Sequence, residues 1–200
     1  MLTLYHSPKS RSTRIVALLR ELDALDEVTI EIVTIPRQDG SGHRDAGNLH
    51  PEGKVPYLVH DGVAIWESSA IMLYLADLFP KAGLGIPPGH PQRGAYLSWF
   101  AWYSGVVEPV MLLEAIGVSH PAIASTFRSG AEVRRRLAAA LAEGPFLFGD
   151  RFTAADMLLH SPYAWFGKPG EPILDAWIER CMARPGPAFA AEFDAGHALS

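Results

Sequence analysis

The spacing of apolar and polar residues changes several times along the first eighty positions, and each change predicts an element. Residues 2–6 (LTLYH) alternate, as a strand with one buried face does. From Ser12 the spacing lengthens. Ile15, Leu18, Leu19 and Leu22 fall at i, i+3, i+4 and i+7, the apolar stripe of an amphipathic helix. Residues 27–35 (EVTIEIVTI) alternate strictly and are rich in β-branched side chains, which predicts a second strand. A polar, glycine-bearing stretch follows as far as Gly53, a long loop with at most one short helical turn; long loops in compact domains are often functional. Residues 55–60 form a strand opened by Pro56. Asp61-Gly62 is a hairpin turn, and residues 63–66 return. Glu67-Ser68-Ser69 then starts a helix that ends near Phe79-Pro80. The order β-α-β-loop-β-β-α predicts an α/β unit with a mixed sheet over residues 1–79.

Residues 80–91 (PKAGLGIPPGHP) hold four prolines and three glycines and read as a linker. Residues 92–200 read as helix throughout. One long helix is expected over 92–116, kinked or divided at Pro109, with others over 121–143, 153–166 and 171–183. The chain ends soon after the last of these, so no long C-terminal lid is expected. Thr153-Ala154-Ala155-Asp156 has the form of a helix capping box.

Composition narrows the class. Two hundred residues, 48% of them apolar, make one large domain or two small ones with a full core. Cys181 is the only cysteine, so no intramolecular disulfide is possible, and a lone thiol suits a reducing compartment. We expect a packing role for it. The N-terminus has no signal-peptide pattern, and no apolar run approaches the ~20 residues that cross a bilayer. The expected location is cytoplasmic, with no membrane partner. A net charge of −5 weighs against a nucleic-acid surface. The basic run Arg134-Arg135-Arg136 lies in an alanine-rich helical stretch and reads as a solvated face.

Candidate chemistry concentrates in residues 4–15, LYHSPKSRSTRI, where Tyr5, Ser7, Ser10, Ser12 and Thr13 bring five hydroxyls among basic residues. Tyr5 lies on the strand and is expected in or beside the core. Ser7 precedes a proline and suits a turn. Ser12 stands where the helix is capped. Ser10 lies between turn and helix, free to face a ligand at the helix N-terminus. Ser10 and Ser12 are the candidate catalytic hydroxyls, with Ser7 still open. Ser7-Pro8-Lys9-Ser10 has the spacing of a redox C-x-x-C motif with both sulfurs absent, so the chain itself cannot run dithiol exchange there.

Several motifs occur in order along the chain: YHSPKSRSTRI; Pro51-Glu52-Gly53-Lys54-Val55-Pro56; Glu67-Ser68-Ser69-Ala70-Ile71 leading into Leu73-Tyr74-Leu75; Phe148 to Asp156 (FGDRFTAAD); and Ala183-Arg184-Pro185. Together they resemble the cytosolic glutathione transferase family, in its bacterial, serine-type form. The resemblance implies a thioredoxin-like α/β N-terminal domain, an all-α helical-bundle C-terminal domain, a homodimer, and glutathione as co-substrate without a metal.

It also implies roles. A cis bond before Pro56 would let the Val55 backbone pair with the cysteinyl part of glutathione as an added strand. Ser68, at a helix N-terminus, would hold the γ-glutamyl carboxylate, and Glu67 would help with the ammonium. Lys54 would reach the glycyl carboxylate, with Arg37, His43, Arg44 and His50 as lesser candidates. Ser10 lies four residues before Arg14, similar to the offset between catalytic serine and helix arginine in serine-type members. Trp99, Trp102 and Tyr103 would line the pocket of a second, apolar substrate.

The implied activity is conjugation of glutathione thiolate to an electrophilic, mainly apolar substrate, as in detoxification. A free thiol has a pKa of ~8.5, and lowering it by ~2 units takes ~2.7 kcal/mol. One hydroxyl bonded to the anion offers ~1.5–3 kcal/mol, and a helix N-terminus adds ~0.3–1 kcal/mol. Alternatives on the same fold are another glutathione-dependent enzyme (peroxidase, disulfide reductase, dehalogenase or isomerase) or a non-catalytic binding protein.

Overall fold

The structure is a computed structural model and describes residues 1–198. It divides into two units, one of Met1–Ala82 with the chain from Ala183 onward, the other of Gly83–Met182. The sequence reading assigned everything from residue 92 to the helical domain. The last helix instead belongs to the first unit.

In the first unit, β1 (Leu2–His6), β2 (Val28–Ile32), β3 (Tyr57–His60) and β4 (Val63–Trp66) form one mixed sheet in the order β2-β1-β3-β4. β1 pairs in parallel with β2 and antiparallel with β3, which pairs antiparallel with β4. α1 (Thr13–Glu21) and α2 (Ser68–Leu78) pack together beside the sheet. The core contains Leu4, Ile15, Val16, Leu18, Leu19, Leu58, Ile71 and Leu75, the residues the two periodicities select. β2 is shorter than the alternating run predicts. The loop over residues 33–56 carries turns and bends but no helix.

α10 (Pro185–Gly196) follows the last helix expected from the sequence and opens on Pro185-Gly186-Pro187. Proline is well suited to a helix's first turn, where its N–H would have no partner anyway. α10 lies along α1. Gly186 permits the approach, since a Cβ there would stand 2.6 Å from the Ala17 carbonyl oxygen. Glu21 on α1 accepts from the Gly186 N–H at 2.8 Å and from the Arg184 guanidinium, which ties down the start of α10.

The second unit is helical. α3 (Arg93–Trp102) and α4 (Glu108–Ala115) are joined by a π-helical turn at Tyr103–Val107. Pro109 cannot donate to the turn before it, and the widened turn directly upstream accommodates this without breaking the helix. The helix expected over 121–143 is two, α5 (Pro121–Phe127) and α6 (Gly130–Leu141). They separate at Arg128 (φ +69°) and Ser129, which caps α6. Pro162 likewise divides the next predicted helix into α7 (Ala154–His160) and α8 (Tyr163–Phe166), before α9 (Pro172–Met182).

The capping box at the start of α7 is present in both halves. Buried Asp156 accepts from Thr153 N and Oγ1, from the Leu147 N–H at 2.8 Å and from Trp177 Nε1 at 3.1 Å. Burial raises its pKa, although all four donors pull the other way. Cys181 is fully buried, as a packing residue is. The arginine run lies on a solvated face, as expected, with Arg135 and Arg136 exposed and Arg134 partly so. Arg134 pairs with Glu171 and Arg135 with Glu132, while the Arg136 guanidinium lies over the Trp99 and Trp102 rings at 5.6 and 4.7 Å from their centroids. Among the described residues no helix is long and apolar enough to cross a membrane.

Candidate active site

The strand register brings three distant segments to one edge of the sheet. Tyr5 is opposite Tyr57, which is opposite Trp66, while His6 is opposite Ile32. The chain therefore leaves β1 into residues 7–12, enters β3 through Val55-Pro56, and leaves β4 into Glu67-Ser68, all at that edge. Strands in a sheet lie about 4.8 Å apart, so the outflow of β1 and that of β4 are about 10 Å apart. An extended tripeptide spans about that length.

After β1, the chain turns through Pro8 and Lys9, the latter at φ +55°. Ser10 and Ser12 both fold their hydroxyls back onto the Ser7 carbonyl, at 2.6 and 3.2 Å, and stand 2.8 Å from each other. Only Ser10 keeps any exposure; Ser7 and Ser12 are fully buried. Ser12 occupies the cap position of α1 but makes no capping side-chain bond. Its hydroxyl instead accepts from the Ser7 N–H at 3.1 Å and meets His6 Nδ1 at 2.7 Å. Ser12 thus offers a ligand no surface, which corrects its place as a directly acting hydroxyl; its partners hold it inward. Ser7 is a turn residue, its hydroxyl accepting from Arg37 at 3.2 Å. Arg37 also donates to the Pro8 and Lys9 carbonyls and so braces this turn. Tyr5 is half-buried on the opposite face of β1 from His6, 6.0 Å from the Tyr57 ring.

Behind the serines, His6 Nε2 lies 3.0 Å from Asp194 Oδ1 on α10. The other Asp194 oxygen accepts from the Lys9 N–H at 2.6 Å and the Thr13 hydroxyl at 2.7 Å. Burial on its own would raise the Asp194 pKa, but the bonds from His6, Thr13 and Lys9 together hold it below the ordinary carboxylate value. Sequence reasoning missed both residues. Nothing in the chain relates two positions 188 residues apart.

At the second segment the Val55–Pro56 bond is cis, as the resemblance implies. Asn48, also missed, donates to the Lys54 carbonyl at 3.1 Å and fixes the approach to Val55. His50 accepts from the Glu52 N–H and packs on Tyr57, so it is part of the loop's own framework. Arg44 bonds the Pro51 carbonyl. The Lys54 side chain is exposed and paired with Glu52. That hydrogen bond is the largest cause of its raised pKa; Glu67 adds to the effect and Arg11 opposes it. The third segment contains Glu67 at φ +69°, ψ 129°, outside the regions a non-glycine residue prefers. It is exposed, and Ser68 behind it is buried in the first turn of α2. Strain of this kind costs about 1–3 kcal/mol and collects at ligand-binding positions.

In the helical unit, Trp99 and Trp102 are half-buried and meet edge-to-face at 5.3 Å. Tyr103 has 1% exposure and belongs to the unit's core, so it gives a substrate no surface. Tyr103 falls seven residues after Tyr96 and three after Phe100, continuing the buried stripe of α3. Among the described residues no group of three or more His, Cys, Asp or Glu side chains is placed to hold a metal ion.

A four-stranded mixed sheet with a cis-proline turn in one unit, and helices alone in the other, define a thioredoxin-like domain and an all-α domain. Residues 4–83 match the family model described as glutathione S-transferase, N-terminal domain. A sphingomonad glutathione S-transferase solved in complex with glutathione is 28% identical, with a TM-score of 0.75, covering 96% of this chain and 98% of that one. The disulfide-bond oxidoreductase YfcG of Escherichia coli is 28% identical over 92% of both chains. Glutathione S-transferase 3 of Schizosaccharomyces pombe is 44% identical over 38% of this chain, a stretch that spans only 29% of that relative's length. Residues 4–83 therefore carry a glutathione S-transferase N-terminal domain, and the chain as a whole is similar to glutathione transferases in fold.

Proposed function

We propose that the protein is a serine-type glutathione transferase, conjugating glutathione thiolate to an apolar electrophile. The observation that supports this best is the convergence at one sheet edge of Ser10, the Val55-Pro56 turn and the strained Glu67-Ser68 junction. In this reading Ser68 and the first N–H groups of α2 bind the γ-glutamyl carboxylate, and Glu67 binds the ammonium. The Val55 backbone pairs with the cysteinyl unit, next to Pro56. Lys54 must exchange Glu52 for the glycyl carboxylate. Ser10 gives up its bond to the Ser7 carbonyl and donates to the thiolate. Trp99 and Trp102 remain the candidate contacts for an apolar electrophile, and detoxification in the cytoplasm is the corresponding role.

A homodimer is part of the proposal. Val63, Ile65, Ala70, Leu73 and Tyr74 line an apolar groove of about 560 Å³ on the first unit, beside Val63 at 66% exposure. The test is a titration with glutathione followed by thiolate absorbance, then conjugation of a generic aryl halide. We expect binding below millimolar concentration, a thiolate band at neutral pH, and turnover. Absence of binding at millimolar glutathione would sink the reading. Reduction of a mixed disulfide without any conjugation would favour the chemistry of the disulfide oxidoreductase relative instead.

A further inference from the structure

One hydrogen-bonded chain runs from the partly exposed Ser10 into the interior: Ser10 Oγ to Ser12 Oγ at 2.8 Å, Ser12 Oγ to His6 Nδ1 at 2.7 Å, His6 Nε2 to Asp194 Oδ1 at 3.0 Å. Ser12 and His6 have no exposure and Asp194 has 4%, so Ser10 is the end of the chain nearest solvent. The chemistry of the partners fixes the protons. A carboxylate can only accept, so neutral His6 carries its proton on Nε2 and leaves Nδ1 bare. The Ser12 proton has two acceptors in reach, the Ser7 carbonyl at 3.2 Å and Nδ1 at 2.7 Å, and the shorter contact gives it to Nδ1. Ser12 then accepts from the Ser7 N–H and has a lone pair left for the Ser10 hydroxyl, whose proton turns to it from the Ser7 carbonyl at 2.6 Å. The bare nitrogen of an imidazole held this way faces the hydroxyls.

On the reading of a bound glutathione thiol at Ser10, we propose that His6, oriented by Asp194, receives the thiol proton through Ser10 and Ser12. The step balances. The S–H bond breaks and its proton joins Ser10 Oγ, the Ser10 proton passes to Ser12 Oγ, and the Ser12 proton passes to His6 Nδ1. The sulfur keeps the bonding electron pair. Both serines end as neutral hydroxyls, with Ser10 O–H now pointing back at the thiolate. His6 ends as an imidazolium bonded to the Asp194 carboxylate. No proton leaves the protein.

An unperturbed thiol at ~8.5 and imidazole at ~6.5 differ by ~2 units, which opposes the transfer about a hundredfold. Asp194 and the new Ser10–thiolate bond act against that gap. His6, Ser12 and Asp194 are positioning residues, since only Ser10 would touch the substrate. The charged and titratable groups packed around the relay are Asp194 on α10, Arg37 on the Ser7 and Pro8 side, Lys9, whose N–H bonds Asp194, and Arg14, buried in the first turn of α1. His197 stacks on Phe193, whose ring is 5.7 Å from that of His6.

The test counts protons in the unaltered protein. Glutathione is titrated calorimetrically in two buffers of different ionisation heat at neutral pH, with thiolate absorbance followed in parallel. We expect a thiolate band with much less than one proton released per site, and the ¹⁵N signature of imidazolium at His6. Release of about one proton per thiolate formed, with His6 still neutral, would overturn the relay and leave the transferase reading standing. If no thiolate forms on binding, both fail together.

Asp194→Asn gives a second readout. The bound thiol should titrate about tenfold less favourably, a shift of ~1 pKa unit, while S-methylglutathione, which has no thiol proton, binds within about twofold of the unaltered protein. An unchanged thiol titration in folded Asp194→Asn would also overturn the relay.

Discussion

Replacing Ser10 with alanine separates thiolate stabilisation from folding. The Ser10 hydroxyl has three partners, the Ser7 carbonyl, Ser12 Oγ and the Ser12 N–H at 3.2 Å, and it is partly exposed. Water can serve those partners when it is gone, so the stability cost should be below ~1.5 kcal/mol. The cost to a bound thiolate is larger, because a hydroxyl bond to an anion is worth ~1.5–3 kcal/mol. At ~1.36 kcal/mol per unit, the thiol pKa of bound glutathione should rise by ~1–2 units. The N-terminus of α1 stays in place and keeps its ~0.3–1 kcal/mol. The assay is a pH titration of thiolate absorbance at saturating glutathione, paired with urea unfolding. Ser12→Ala is the contrast. It strands His6 Nδ1 and the Ser7 N–H in a site without solvent, so it should cost ~2–4 kcal/mol of stability. If Ser10→Ala titrates its thiol at the same pH as the unaltered protein, the assignment of Ser10 is wrong.

Other outcomes can be checked in the same preparations. Glu67→Gly should relieve the backbone at φ +69° and raise the melting temperature or leave it unchanged, while weakening glutathione binding about tenfold; lower stability with unaltered binding would refute it. Asp156→Ala removes the acceptor for four donors in the helical unit and should cost more than ~3 kcal/mol, read from Trp177 fluorescence during denaturation. The Asp194 pKa is lowered on folding. Its contribution to stability is therefore present above the unfolded value of ~3.9 and is lost as pH falls through the lower folded value. The unaltered protein should lose urea resistance below about pH 4 more steeply than Asp194→Asn, and parallel curves would count against the bonds assigned to that carboxylate.

What the sequence determined by itself was local. Period-two alternation marked β1 and β2, a hairpin turn marked β4, a 3.6-residue stripe marked α1, and a four-residue pattern marked the capping box of α7. Each pattern involves groups within a few residues of one another, so it can be read without knowing any distant contact. The order of motifs also gave the expectation that Val55-Pro56 and Glu67-Ser68 contact glutathione, and the strand register brings those segments to one end of the sheet. Tertiary structure decided the rest. Ser10 and Ser12 are two positions apart and chemically identical, yet the turn after β1 leaves one partly exposed and buries the other against His6. Trp102 and Tyr103 are adjacent, yet Tyr103 continues the stripe of Tyr96 and Phe100 that packs into the core, while Trp102 stays half-buried. Asp194 reaches His6 only because α10 lies along α1, and Gly186 makes that approach possible. The hydroxyl chain depends on which polar groups are buried together, and burial of that kind is set by packing between elements far apart in the chain.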